Sequence, residues 1–498
     1  MTENYLFSRL AAYGKAHPEK TFAQAPDAAP QSYGATLQNA LHLAAVLTSA
    51  GLKPGDRVAV QVEKSLTALE LYLATVAAGG VFLPLNTGYT ASELAYFLDD
   101  ATPAIVVCDP ARVAEVTPLA GEARVFTLGA NGTGSLTEAL SDAIVAPVPR
   151  TADDLAAILY TSGTTGRSKG AMLSHDNLYS NAACLKGYWQ FTDQDVLIHA
   201  LPIFHTHGLF VATNLALVSG ATLHFLNSFS PEAVLEALPT ATVLMGVPTF
   251  YTRLLADPQL TRDRAANMRL FISGSAPMLV DTHEQWQART GHTILERYGM
   301  TETNMNTSNP YTGTRRPGTV GLPLPGVELR IMGREGEVAQ GEIGTIEVRG
   351  ANVFKGYWQM PEKTAEELRP DGWFITGDLG VMDEDGYISI VGRGKDLIIT
   401  GGFNVYPKEV ESLIDDINGV LESAVIGVPH PDFGEAVVAV VVPSDQSLTL
   451  EAIQAVTSEK LAKFKQPKHI LLLPELPRNT MGKVQKKALR ETYANLFT

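Results

Sequence analysis

Short β-branched runs bounded by Gly, Pro or Asp alternate along most of this chain with amphipathic stretches of helical length. Residues 57–62, 104–108, 221–226, 242–247 and 269–272 read as strands, and 35–50 and 92–100 as helices. Thr90-Ala-Ser-Glu93 has the capping-box spacing, which sets a hydroxyl and a carboxylate against the free N–H groups of a helix start. Strands alternating with helices predict parallel sheet, with ligands gathered near the strand carboxyl ends.

The pattern changes near residue 393. Gly392-Arg-Gly-Lys-Asp396 precedes a Gly-Gly turn at 401–402, and Pro407-Lys-Glu-Val-Glu carries proline and acids where a helix begins. Strands are expected at 423–428, 436–442 and 469–473, with a helix over about 450–462 between the last two. The reading is a large α/β domain, residues 1–393, followed by a small α+β domain, residues 394–498.

Length agrees with that division, because 498 residues exceed what one hydrophobic core usually organises. A net charge of −15 argues against nucleic acid as a partner and requires that any anionic ligand meet a local basic site. Cys108 and Cys184 are too few for a disulfide framework or a four-thiolate metal site. The start, Met-Thr-Glu-Asn-Tyr, lacks the basic and then apolar character of a signal peptide. The longest aliphatic run, 436–442, is far short of the roughly 20 residues that span a bilayer. A soluble cytoplasmic protein without a membrane partner is expected.

The strongest chemical signal is Tyr160-Thr-Ser-Gly-Thr-Thr-Gly-Arg-Ser-Lys-Gly170, which follows the apolar residues 155–159. Its glycines let the backbone wrap an anion, and its hydroxyls and two cations supply donors, a combination suited to polyphosphate. The order is not the Gly-x-x-x-x-Gly-Lys-Ser/Thr pattern of the common NTPases.

This loop resembles the phosphate loop of the adenylate-forming superfamily, which includes acyl-CoA synthetases, peptide-synthetase adenylation domains and beetle luciferases. Further motifs follow in that family's order: Gly274-Ser-Ala-Pro277, Tyr298-Gly-Met-Thr-Glu302, Thr376-Gly-Asp378, Gly392-Arg-Gly-Lys-Asp396 and Pro477-Arg-Asn-Thr-Met-Gly-Lys483. The resemblance covers essentially the whole chain. It implies doubly wound sheets plus a β-barrel-like part in the large domain and a mobile small domain. It also implies an ATP-dependent acid–CoA ligase that forms an acyl-adenylate and then a thioester.

On that resemblance ATP is held by Thr161, Ser162, Gly163, Thr164, Thr165, Gly166 and Lys169 of the loop. Gly274, Ser275, Ala276 and Pro277 join Glu296, Arg297, Tyr298, Gly299, Met300 and Thr301 around the nucleotide, with Tyr298 stacked on adenine. Asp378 would accept from the ribose hydroxyls, with Arg393 nearby. Glu302, with Thr161, would hold Mg²⁺, which prefers hard oxygen ligands. Lys483 would be the catalytic residue, its ammonium stabilising charge as the carboxylate attacks the α-phosphorus. Lys395 would be the hinge between two domain orientations, and Gly401, Gly402, Phe403 and Asn404 would line the pantetheine tunnel for CoA. Lys486 stands where many family members have Arg, so the charge is kept. The stretch from Lys460 to Arg490 is locally +8, read either as a solvated face or as attraction for the CoA phosphates.

The acid is indicated by charge. Arg297 precedes the Tyr-Gly-Met-Thr-Glu motif, Leu201-Pro-Ile-Phe-His-Thr-His-Gly208 resembles the family's acyl segment, and Arg253 lies on a neighbouring one. An unpaired cation in an apolar tunnel is unfavourable, so the pocket should bind a second carboxylate unless Arg297 pairs with an acid such as Glu296. Glu296 to Pro310, Ile203 to Gly208 and Thr400 to Lys408 closely resemble malonyl-CoA synthetases. That resemblance implies malonate, with methylmalonate slower and Thr206 and Met305 crowding the α-carbon beside His207. The alternative is a medium- or long-chain fatty acid–CoA ligase. A peptide-synthetase adenylation domain is disfavoured because the chain stops at Thr498, and a nucleotide-binding regulatory module because Lys483, Glu302 and the glycine loop are all kept.

Overall fold

The computed structural model describes residues 3–26, 28–161, 168–444, 448–479 and 482–497. A six-stranded sheet runs Arg124–Thr127, Ile105–Cys108, Arg57–Gln61, Val81–Pro84, Leu155–Thr161, Lys169–Ser174. Its first five strands are parallel, and the last pair is antiparallel. The parallel strands are apolar along their length because helices cover both faces; Ile105–Cys108 and Val81–Pro84 are buried throughout.

The second sheet has nine strands. Six of them, Thr21–Gln24, Thr222–Phe225, Val196–His199, Val243–Gly246, Leu270–Ser273 and Ile294–Met300, are parallel neighbours. Antiparallel Asn304–Ser308 and Leu322–Pro323 extend the far edge. Helices Tyr33–Ser49 and Leu66–Ala77 belong to one hydrophobic cluster that runs through residues of both sheets. The helix expected over 92–100 is Ala91–Ala101, and both bonds of its capping box form: Glu93 N donates to Thr90 Oγ1 and Thr90 N to Glu93 Oε2.

A third sheet is four-stranded and antiparallel, Val327–Met332, Gly344–Gly350, Phe374–Met382 and Ile388–Arg393. Its register sets Asp378 directly opposite Arg393. Beyond it, strands Ile398–Thr400 and Phe403–Val405 form a hairpin whose turn residues, Gly401 and Gly402, have φ of 56° and 83°. Positive φ at both positions suits glycine and explains the Gly-Gly pair. The long pair Val420–His430 and Gly434–Pro443 carries His469–Leu472 on its edge. Side-chain alternation splits this sheet's interior in two. Val425, Val437 and Val441 pack with residues of helices Pro407–Asp415 and Leu450–Lys460, while Ile426, Val438 and Val440 pack with Leu476 and Leu489. The fold is therefore a large N-terminal domain of sheets and helices with a small C-terminal α+β domain.

Candidate active site

Strands Val243–Gly246, Leu270–Ser273 and Ile294–Met300 end side by side, and the chain segments that follow them carry most of the motif residues. Successive residues of a strand face opposite sides, which separates Glu296 from Arg297. Glu296 accepts from His283 Nδ1 at 3.2 Å and from Gly318 N at 3.2 Å. Arg297 lies on the other face, 3% exposed, and its Nε and Nη2 have no partner among the described residues. Gly274 makes room for it, since a Cβ there would stand 2.4 Å from Arg297 Cζ. Burial pulls the guanidinium down to about 9, so it stays charged at neutral pH.

The segment 205–207 is drawn into the same place. Thr206 is 2% and His207 1% exposed. His205 Nδ1, Thr206 Oγ1 and His207 Nε2 also lack partners among the described residues, while His207 Nδ1 is 3.3 Å from Ser275 Oγ. Ser275 holds φ at 72°, a left-handed conformation uncommon for a residue with a Cβ. Burial first, and then the Arg297 charge, depress both imidazoles, His205 to about 4, so both are neutral at pH 7. Met305 is buried, and its Cε lies 2.6 Å from where a Gly299 Cβ would stand. Arg253 is not joined to this group: it is exposed, with its guanidinium 5.1 Å from the Phe229 ring centre. A buried, charged donor fork beside a hydroxyl and two neutral imidazoles has the chemistry to receive a carboxylate, because leaving such donors unmet is costly.

A second group lies around Tyr298. Its hydroxyl donates to Asp378 Oδ2 at 2.6 Å, and Arg393 Nε is 2.8 Å from Asp378 Oδ1. Each carboxylate oxygen has a further lone pair to offer a ligand hydroxyl. Four residues on, beyond Gly299, Met300 and Thr301, Glu302 is buried, and the Tyr357 hydroxyl stands 3.0 Å from its Oε1. Thr161 pairs with Lys169 across the hairpin that brackets the glycine loop. Ser162, Gly163, Thr164, Thr165 and Gly166 lie outside the described residues. Lys169 Nζ contacts Glu367 at 3.1 Å and sits 4.1 Å from the Tyr357 ring centre.

The small domain closes the group. A Cβ at Gly482 would be 3.1 Å from Thr249 Oγ1 of the large domain. Lys483 is accessible along the cleft yet crowded enough that burial and the Arg393 charge lower its ammonium, against the pull of Asp378 and Asp396. It is close enough to His205 to help depress that imidazole. Lys395 lies in the turn Gly394–Asp396, brought down to about 8 by burial and Arg393, while Asp396 is held by Arg490 at 2.8 Å. Phe403 is exposed and stacks on Phe464 at 4.7 Å, beside Gly401, Gly402 and Asn404. The basic stretch is partly neutralised inside its own domain, since Lys465, Lys486, Arg478 and Arg490 each meet an acid.

Sequence reasoning did not single out His205, Tyr357 or Glu367. His205 was legible in the His-Thr-His spacing. The other two are not, because their partners Glu302 and Lys169 are 55 and 198 residues away along the chain.

Arg297 and its neighbours, Tyr298 with Asp378, and a lysine from the small domain lie together in the large domain's motif region. The chain belongs to the AMP-binding enzymes, whose pattern matches residues 10–358, with an AMP-binding enzyme C-terminal domain at 409–483. It is 35% identical to malonate–CoA ligase of Arabidopsis thaliana, over 89% of this chain and 79% of that protein. It is 36% identical to feruloyl-CoA synthase of Amycolatopsis sp, over 93% and 94%. The crystal structure of ATP-bound MatB from Rhodopseudomonas palustris is 59% identical, covers 99% of this chain and 100% of its own, and superposes with a TM-score of 0.97. The apo form of that protein superposes with a TM-score of 0.85.

Proposed function

We infer that this protein is an ATP-dependent malonate–CoA ligase. The observation that carries the reading is the buried Arg297, which has two donor nitrogens unmet among the described residues and lies close enough to His207 for its charge to depress that imidazole. A monocarboxylate or a fatty tail would leave that charge stranded, whereas the distal carboxylate of malonate meets it. Similarity to malonate–CoA ligase and MatB supports the same choice.

In the first step a malonate oxygen attacks the α-phosphorus of ATP and the bond to pyrophosphate breaks. Lys483, reaching in from the small domain, binds the attacking carboxylate and offsets charge on the phosphorus. Tyr298 and Gly274–Pro277 hold the adenine, Asp378 with Arg393 takes the ribose, and Lys169 with the glycine loop takes the phosphates. Glu302 and Thr161 would offer hard oxygens to Mg²⁺. Such an ion offsets phosphate charge when bound. In the second step the small domain (394–498) turns on the large one (1–393) at Lys395. The CoA sulfur, reaching along Gly401–Asn404, attacks the acyl carbon, and its bond to AMP breaks. Cys108 and Cys184 are free thiols, in keeping with our assignment to the cytoplasm.

The test is pyrophosphate release measured over mono- and dicarboxylic acids. Malonate should lead, methylmalonate follow, and octanoate trail; a preference for octanoate would overturn the substrate. Lys483→Ala should lower adenylation about 100- to 1000-fold while sparing thioester formation from supplied malonyl-AMP. Equal loss in both half-reactions would remove the role given to that lysine.

A further inference from the structure

Lys169 and Glu302, both assigned above to the nucleotide, are joined by two residues outside every motif. Glu367 receives Lys169 at 3.1 Å, and the Tyr357 hydroxyl stands 2.6 Å from Glu367 Oε2 and 3.0 Å from Glu302 Oε1. The Lys169 ammonium also lies over the Tyr357 ring. Among the described residues, then, the phosphate-loop lysine has a carboxylate partner of its own.

Two features make that contact exchangeable. Lys169 and Glu367 keep 19% and 23% of their side-chain surface, so water and ligand reach the pair. Glu367 also has a second ammonium, Lys363 at 2.8 Å, as well as the Tyr357 hydroxyl. Releasing Lys169 therefore leaves Glu367 paired rather than stranded, and the penalty for a bare buried charge does not arise. A carboxylate that can let go competes with phosphate on equal terms.

We propose that Glu367 is a positioning residue that stands in for phosphate. It holds Lys169 over Tyr357 before the nucleotide arrives, yields the ammonium to the phosphates of ATP, and takes it back as pyrophosphate leaves. The inference rests on the ligase reading and adds to it a residue that sets how tightly the polyphosphate is held. Its chemistry is an exchange of ion pairs, with no bond made or broken.

A purely structural role predicts that loss of Glu367 weakens nucleotide binding. Competition predicts the reverse. Glu367→Gln keeps the shape and an acceptor for Tyr357 but removes the competing charge. In calorimetric titrations without acid substrate, MgATP and magnesium pyrophosphate should each bind about two- to fivefold tighter to this variant, the scale of a partly exposed ion pair. Lys169→Met should abolish that gain when the two changes are combined. Lys363→Met removes the second ammonium, so Glu367 should grip Lys169 harder and pyrophosphate should bind about two- to fivefold more weakly. Thermal midpoints of each variant report folding independently. Weaker or unchanged binding by Glu367→Gln, or the same gain without Lys169, overturns the proposal. Failure of wild-type protein to bind MgATP at all would instead overturn the ligase reading.

Discussion

Among the described residues, Lys64 and Arg297 are both buried, and the fold treats them in opposite ways. Lys64, 7% exposed, gives its ammonium to three acceptors: His199 Nδ1 at 2.9 Å, His199 O at 2.7 Å and Leu226 O at 2.6 Å. Because Nδ1 accepts, His199 carries its proton on Nε2 and donates it to Gly208 O at 2.9 Å, bracing the acyl segment from beneath. Arg297, 3% exposed, leaves Nε and Nη2 without partners among the described residues. Burial alone does not distinguish a structural charge from a binding one. The difference is whether the fold completes the charge's hydrogen bonds or leaves them for a ligand.

The largest expected effect separates the two by function. Arg297→Met should lower kcat/KM for malonate by about 30- to 1000-fold, or about 2–4 kcal/mol, since the distal carboxylate loses a charge-assisted partner. Propionate should lose much less. Stability should hold or rise, because an unsatisfied buried cation is removed. Equal losses for malonate and propionate would break the assignment. The converse holds for Lys64→Met, which strips donors from three buried acceptors and should cost about 2–4 kcal/mol of unfolding free energy in urea. Its ratio of malonate to propionate turnover should stay at the wild-type value. A shifted ratio would mean that Lys64 belongs to the pocket after all.

A buried histidine outside the pocket is met on one ring nitrogen only, its Nε2 having no partner among the described residues. His175 accepts from Leu6 N at 3.2 Å and, by burial first, is held at about 4. The unfolded chain takes up this proton near pH 6.5 and the folded one near 4, so stability is lost as pH falls through that window. His175→Asn, which keeps an acceptor, should therefore lose about 2 kcal/mol less than wild type between pH 7 and 4.5. Parallel pH curves would show that another group is responsible. The smallest effect is expected at Arg253, exposed over Phe229. Arg253→Ala should change malonate kcat/KM by less than about threefold, and a loss as large as that of Arg297→Met would place it in the pocket.

Much of this protein was decided locally and could be read from the chain. The Thr90–Glu93 capping box, the helix start at Pro407 and the hairpin at Gly401-Gly402 depend on a few adjacent residues, and each forms where the sequence places it. Apolar runs gave the parallel strands for the same reason, since burial on both faces leaves no room for polar positions. The π-helix His207–Thr213, the buried Lys64–His199 brace and the Lys169–Glu367–Tyr357–Glu302 chain were not legible. Charge and motif order in the sequence named Arg297 as the residue for a second carboxylate. That it does not pair with Glu296 was decided by the strand, which turns adjacent side chains to opposite faces and gives Glu296 to His283. The sequence determines which groups are available. Only packing decides which of them are satisfied within the fold, because a partner can come from any point along the chain.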